Sequence, residues 1–440
     1  MGTRQGRPAS LDLYALHLST STAAATAYNR GVSAVLRVQE GGLRAVSESI
    51  THDPMFALGH AALALLGHEY GAAVDVESRL AAALLHVRSG DGRERSHVHA
   101  VAEHVHGNPG PLVRHLQDFP RDALLLSAAV PTIAFAGVTD VAGESWALVE
   151  GAADAYGADW WYCGLLAFIR QEQGRFDEAM ELSTASLSVE PSAGHSVHAR
   201  THVHYETGDH VRGLEWLDGW MVDAGAQADN LAHYSWHAAL HELSLGDFEA
   251  VRTRYADQLS PPTVVGCRAL VDSCSLLWRW VITPGAVDVP AVATVVETVD
   301  ARLLDEPPTA FMAMHAAVTL CALQDADRLA RLAAWAQRQP DPAFAEAVGP
   351  LAAALQRLAA GDASAAADQL GFLLGSVWRL GGSDAQREVV EDTLIAALLA
   401  AGRFDEARPV IDARLDRRPS RRDEVFHRAA CSTCREESMQ

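Results

Sequence analysis

Five histidines in two predicted helices carry the spacing closest to chemistry. His198 and His202 stand four residues apart, as do His233, His237 and His241 in turn. At 3.6 residues per turn each set lines one helical face. Imidazole exchanges protons near neutral pH, and a pair at this spacing can also reach one metal ion. A metal site needs further ligands, and nothing in the sequence brings the two helices together, so neither a metal nor a cofactor is expected. The plainer reading is of helix-face histidines hydrogen-bonded between neighbouring helices. His202 and His237 are the candidate acid/base residues. His198, His233 and Trp236 are candidate ligand contacts beside them.

A second group, Asp272, Ser275, Trp278 and Arg279, lies within two turns of one predicted helix. Arg279 follows Asp272 by seven residues, which places both on one face. Its planar fork suits the carboxylate or phosphate of a ligand, and equally Asp272 itself or a neighbouring helix. Further on, Gly381-Gly382-Ser383 precedes a helix predicted from Asp384. Ser383 would cap that helix, and the free N–H groups of the first turn, which holds Gln386 and Arg387, can receive an anion. His315, alone in the apolar run FMAMHAAVTL, is either a ligand contact or a satisfied core histidine. The pair Cys431-x-x-Cys434 has no second such pair to complete a metal site. No GxSxG, HExxH or dinucleotide fingerprint is present. Acid/base chemistry in this chain would therefore rest on residues gathered by the fold.

The elements that must do the gathering are helical hairpins. From Asp159, DWWYCGLLAFIRQEQGRFDEAMELSTASLSVEP reads as a helix, a break at Gly174, a second helix from Phe176 and a closing Glu190-Pro191. This is one unit of about 34 residues, the tetratricopeptide period. Gly164, Ala167 and Ala179 are small where antiparallel helices approach closely. GRFDEA recurs at Gly402, with variants GDHVRG at Gly208, GDFEAV at Gly246 and GDASAA at Gly361. The breaks at 174, 208 and 246 are 34 and 38 residues apart. The expected fold is all-α: a tetratricopeptide-like α-solenoid of stacked antiparallel helix pairs. About 13 pairs would fit the chain, enough to curve around a central cavity. Residues 1–9 read as a flexible start and 10–259 as an N-terminal helical-repeat portion. After the composition shift at Ser260-Pro261-Pro262, residues 260–420 continue the array. Residues 421–440, with the basic pairs Arg417-Arg418 and Arg421-Arg422 nearby, read as a solvated, disordered tail.

Composition narrows the function. Of 440 residues, 49% are hydrophobic and 7% aromatic, which suits helix bundles better than sandwiches. The chain has no lysine, which removes Schiff-base chemistry and lysine-dependent phosphate loops. A net charge of −21 opposes a phosphate backbone, so no nucleic-acid partner is expected. No apolar run is long enough to span a membrane, Met1 to Pro8 is polar without a signal-peptide core, and four of six cysteines sit singly in apolar helices. These features point to a cytoplasmic protein without a membrane partner.

Several segments, in order, resemble the tetratricopeptide repeat protein 38 family. They are HDPMFALGHAALALL from His52, WWYCGLLAF from Trp160, HARTHV from His198, HYSWHAAL from His233, VDSCSLLWR from Val271 and GGSDAQRE from Gly381. The resemblance extends over nearly the whole chain. It implies an all-helical, soluble repeat protein and brings no biochemical role with it. The chain departs from the family pattern at Tyr205, where a carboxylate is common and Glu206 follows one place later. It also has Asp384 where histidine is usual and Ser244 where glutamate is common. The functional expectation is an inner cavity lined by His, Trp and Arg that binds a small molecule or peptide. The alternative is a cofactor-free acid/base enzyme (isomerase, cyclase, lyase or hydrolase), with His202 or His237 moving protons and Arg279 holding a substrate anion.

Overall fold

The computed structural model describes residues 10–70, 72–130 and 146–432. The expected flexible start, the segment 131–145 and Cys434 lie outside them. Secondary structure among the described residues is helical apart from an antiparallel pair of two-residue strands, Ser10–Leu11 with His17–Leu18, and one bridge between Gln39 and Ala228. The fold is all-α, as expected, and no described helix is long and apolar enough to cross a membrane.

The chain forms two compact units. Residues 1–200 with 227–229 make the first, and residues 201–226 with 230–440 the second. The units part after Arg200, and residues 259 and 260, where the sequence marks two portions of one continuous array, both lie in the second unit. Ser260-Pro261-Pro262 is a turn inside the second unit, where a composition shift marks a loop rather than a boundary.

In the first unit, successive helices pack as antiparallel neighbours: Thr22–Arg37 on Gly42–His52, Ala57–Tyr70 on Val76–His86, Gly92–Val105 on Gly110–Asp118, and Trp160–Glu172 on Phe176–Val189. Their starts are chemically set. Ser21 accepts from the Ala24 N–H, and Asp91 and Glu94 form a reciprocal capping box. A shared core of Tyr28, Phe56, Leu63, Val98, Leu125, Trp161 and Tyr162 supplies what such short helices cannot bury alone. Gly164 is small for a neighbour beyond its own pair, because a Cβ there would lie 3.0 Å from the backbone nitrogen of Ser196.

The second unit repeats the pattern with His210–Val222 on Leu231–Leu245, Ala326–Ala336 on Gly349–Ala359, and Ala363–Leu373 on Asp384–Ala400. The breaks read from the sequence are real turns: Gly174 in the first unit and Gly208, Gly246 and Gly402 in the second have φ of +71° to +72°. Glycine enters this left-handed region without penalty and lets a helix end. The final pair, Phe404–Arg417 with Arg421–Ser432, corrects the expectation of a tail from residue 421. Phe426 and Ala430 are fully buried there, and Arg418, Arg422 and Asp423 are no more than 3% exposed. The arginines look like solvent-facing residues only until their carboxylate partners, far away in sequence, are known.

Candidate functional site

The Leu231–Leu245 helix directs His233, Trp236 and His237 inward, each at most 2% exposed. His202, near the end of the Gly194–Glu206 helix, meets His237 edge to face at 4.6 Å between ring centroids. His237 in turn meets His233 at 4.7 Å, and His233 lies flat on Trp236 at 5.4 Å and 12°. The fully buried Asp272 completes the group, 2.9 Å from His233 Nδ1 through its Oδ1. A carboxylate can only accept, so Nδ1–H donates and His233 Nε2 is left as the basic nitrogen. Asp272 lies in a π-helical turn, Ala269–Ser273, that leads into the Cys274–Val281 helix. Such widened turns recur at functional sites.

His315 is held by its Nδ1–H on the Phe311 carbonyl at 2.9 Å, close enough to Asp272, Arg279 and His233 for their charges to act on it. Burial, above all, pushes His315 down to about 4. Burial followed by the charges of His233 and Arg387 pushes His202 down to about 3. Both rings are therefore neutral at neutral pH. Four polar atoms of this neighbourhood, Asp272 Oδ2, Ser275 Oγ, Trp236 Nε1 and His315 Nε2, have no hydrogen-bond partner among the described residues.

The other residues singled out from the sequence have partners of their own. His198, on the same helix as His202 but within the first unit, lies flat against Phe168 at 5.1 Å. His241 leaves the line of His233 and His237 to meet His210, Nδ1 to Nδ1 at 3.1 Å. The hydrogen bonds of Arg279 go to groups other than Asp272. Its Nη1 donates to Asp392 at 2.7 Å and its Nη2 to the carbonyls of Ala385 and Gln386, with the guanidinium 5.9 Å from the Trp236 ring. The shared face was counted at 3.6 residues per turn, and the π turn holding Asp272 departs from that period.

Ser383 caps the Asp384–Ala400 helix reciprocally with Gln386. Gly381 and Gly382 before it have φ of +74° and +75°, and a Cβ on Gly382 would lie 2.5 Å from the Phe311 ring. The loop is thus seated on the helix that carries His315. Arg387 binds the Gly382 carbonyl and Asp384, so the first turn is occupied by its own side chains.

Two buried constellations were not anticipated. Asp392 receives Arg279 on one oxygen and both Arg414 and Arg422 on the other, at 2.6–2.8 Å. Glu388 extends this network to Arg418 and to the Tyr205 hydroxyl. Glu388 and Asp392, like Arg414 and Arg418, are four residues apart, and that i,i+4 matching was the available signal. In the first unit, Asp122 Oδ2 takes His97 Nδ1 at 2.7 Å, His115 Nε2 at 3.2 Å and Arg93 Nη1 at 3.2 Å. Burial would raise the Asp122 carboxyl, but these partners, His97 foremost, hold it well below the usual range. Arg93 and His97, four apart on one helix, were the trace of it in the sequence.

The chain matches no family model.

Proposed function

We propose that the second unit binds a small polar molecule against the His202–His233–His237–Asp272 cluster, in a protein built of tetratricopeptide-like repeats. The observation that carries this is Asp272. It is fully buried, pairs one oxygen with His233 and has no partner for the other among the described residues. Folded proteins leave few buried polar atoms in that condition, and here Ser275 Oγ, Trp236 Nε1 and His315 Nε2 share it. The neighbouring Asp392, equally buried, has both oxygens paired. The fitting ligand donates a hydrogen bond to a carboxylate, accepts one from an indole N–H and rests against imidazole rings. A compact metabolite fits these requirements better than a peptide, since His202, His233, Trp236, His237 and Asp272 are at most 2% exposed. In this reading Arg279 orients the elements around the ligand, and His198 supports the helix that carries His202.

A second reading, a cofactor-free acid/base enzyme, is favoured by the His233–Asp272 pair. A carboxylate that fixes the imidazole tautomer is the arrangement that prepares the far nitrogen to take a proton. The proton-transfer role then passes to His233, with His237 adjacent. His202, fully buried and held neutral, packs against His237 and takes no proton itself.

A panel of acyl and polar metabolites, screened by thermal unfolding with products followed by mass spectrometry, tests both readings. A ligand at about 100 times its Kd stabilises by about 2.7 kcal/mol. The binding reading expects a compound that raises the melting temperature by several degrees and loses that effect in Asp272→Asn. A stabilising compound whose effect survives in both Asp272→Asn and the His202→Ala/His237→Ala variant would contradict the site. Turnover abolished by His233→Ala would establish the enzymatic form.

A further inference from the structure

In the first unit, the last turn of the Ala57–Tyr70 helix places His68 and Glu69 beside His104 of the Gly92–Val105 helix. Glu69 is 1% exposed. Its Oε1 accepts from His104 Nε2 and lies 3.9 Å from His68 Nε2, and its Oε2 has no partner among the described residues. The two imidazoles stand edge to face at 5.4 Å, and one ligand atom from each of the three residues lies within 4.8 Å of the others. His104 is buried, whereas the His68 side chain is 31% exposed, so the cluster opens to solvent on one side.

The charge requirement separates this cluster from the one around Asp122. There, the Arg93 guanidinium stands on the carboxylate and supplies a permanent positive charge. Glu69 is as deeply buried, and among the described residues the basic groups beside its oxygens are the imidazoles of His68 and His104. A buried carboxylate without a full counter-charge is costly, and a cation held by all three groups removes that cost.

We propose that His68, Glu69 and His104 form a binding site for a divalent transition-metal ion of the zinc type, with solvent completing the coordination on the His68 side. Two imidazole nitrogens and a carboxylate oxygen are a donor set that zinc accepts at about 2.0–2.2 Å, leaving one position open. Tetrahedral coordination asks for donor separations of about 3.3 Å at those bond lengths, so small side-chain rotations close the site. Binding replaces the Glu69–His104 hydrogen bond with two metal bonds, and the ring ligates through Nε2 as a neutral imidazole with its proton moved to Nδ1.

The test uses the full chain, stripped of metal with a chelator and titrated with Co2+ and then with Zn2+ against a chromogenic chelator. Wild type is expected to take up about one equivalent more than His68→Ala/Glu69→Gln, with a visible Co2+ absorption band that the variant lacks. His68→Ala alone, at a partly exposed position, is expected to weaken binding at least tenfold while circular dichroism stays unchanged. Equal stoichiometry and affinity in wild type and in His68→Ala would overturn the proposal, whether or not the double variant folds. The expected difference in a folded single variant would sustain it.

Discussion

Asp392→Ala is expected to unfold the second unit under conditions in which the native chain is stable. The carboxylate is fully buried and answers three guanidinium groups, those of Arg279, Arg414 and Arg422. Removing one partner of an ordinary buried pair costs about 3–5 kcal/mol, because the remaining charge is left without compensation. Here three charges lose a shared partner, against a typical total stability of about 5–15 kcal/mol. Burial alone would raise the pKa of Asp392, but Arg422, Arg414 and Arg279 outweigh it and hold the carboxyl down to about 2. A carboxyl lowered on folding stabilises the protein above its unfolded pKa of about 3.9 and loses that contribution as pH falls toward 2. Urea unfolding followed by tryptophan fluorescence is the measurement. A loss of under about 1 kcal/mol in Asp392→Ala would contradict the role given to the network.

The second large effect is acid destabilisation at a milder pH. Burial, first among the causes in each case, lowers His202 to about 3 and His210 and His315 to about 4. For these groups the unfolded chain binds the proton first. Stability is complete above the unfolded pKa of about 6.5 and falls as pH drops toward the folded values. At pH 5 each of the three contributes a loss of about 2 kcal/mol. Two carboxyls that burial pushes up, Glu242 and Glu391, recover part of it. In the first unit, His195, lowered by burial to about 4, adds a term of the same sign. Unfolding free energies from urea at pH 7 and pH 5 should therefore differ by several kcal/mol, mostly above the range in which Asp392 titrates. Unchanged midpoints would mean that these imidazoles are not held neutral.

What was legible in the sequence was set by local rules. Helix starts and stops follow from caps and glycines a few residues away, so the breaks at Gly174, Gly208, Gly246 and Gly402 and the cap at Ser383 are where the residues place them. The inward face of His233 and His237 follows from periodicity in the same way. Partnership across the chain does not. Arg279 meets Asp392 across 113 positions, and Arg422 reaches the Arg279 carbonyl across 143. A sequence shows only that Arg422 is charged, so the helix at 421–432 read as tail. His104 and Glu69 escaped for the same reason, being 35 residues apart on different helices. The departure of Arg279 from Asp272 has a local cause, a π turn that side-chain counting at 3.6 residues per turn cannot anticipate.

In the function proposed above, two buried carboxylates of the second unit, chemically alike, have opposite purposes: Asp392 would hold the fold and Asp272 would serve a ligand. Comparing Asp272→Asn with Asp392→Asn in urea at pH 7 separates them without knowledge of the ligand. Asparagine at 272 keeps an oxygen for His233 and removes a buried charge, so its stability should equal or exceed that of wild type to within about 1 kcal/mol, as expected where a group serves function rather than folding. Asparagine at 392 should lose at least about 3 kcal/mol. A loss in Asp272→Asn as large as that in Asp392→Asn would make the imidazole cluster part of the scaffold and contradict the site.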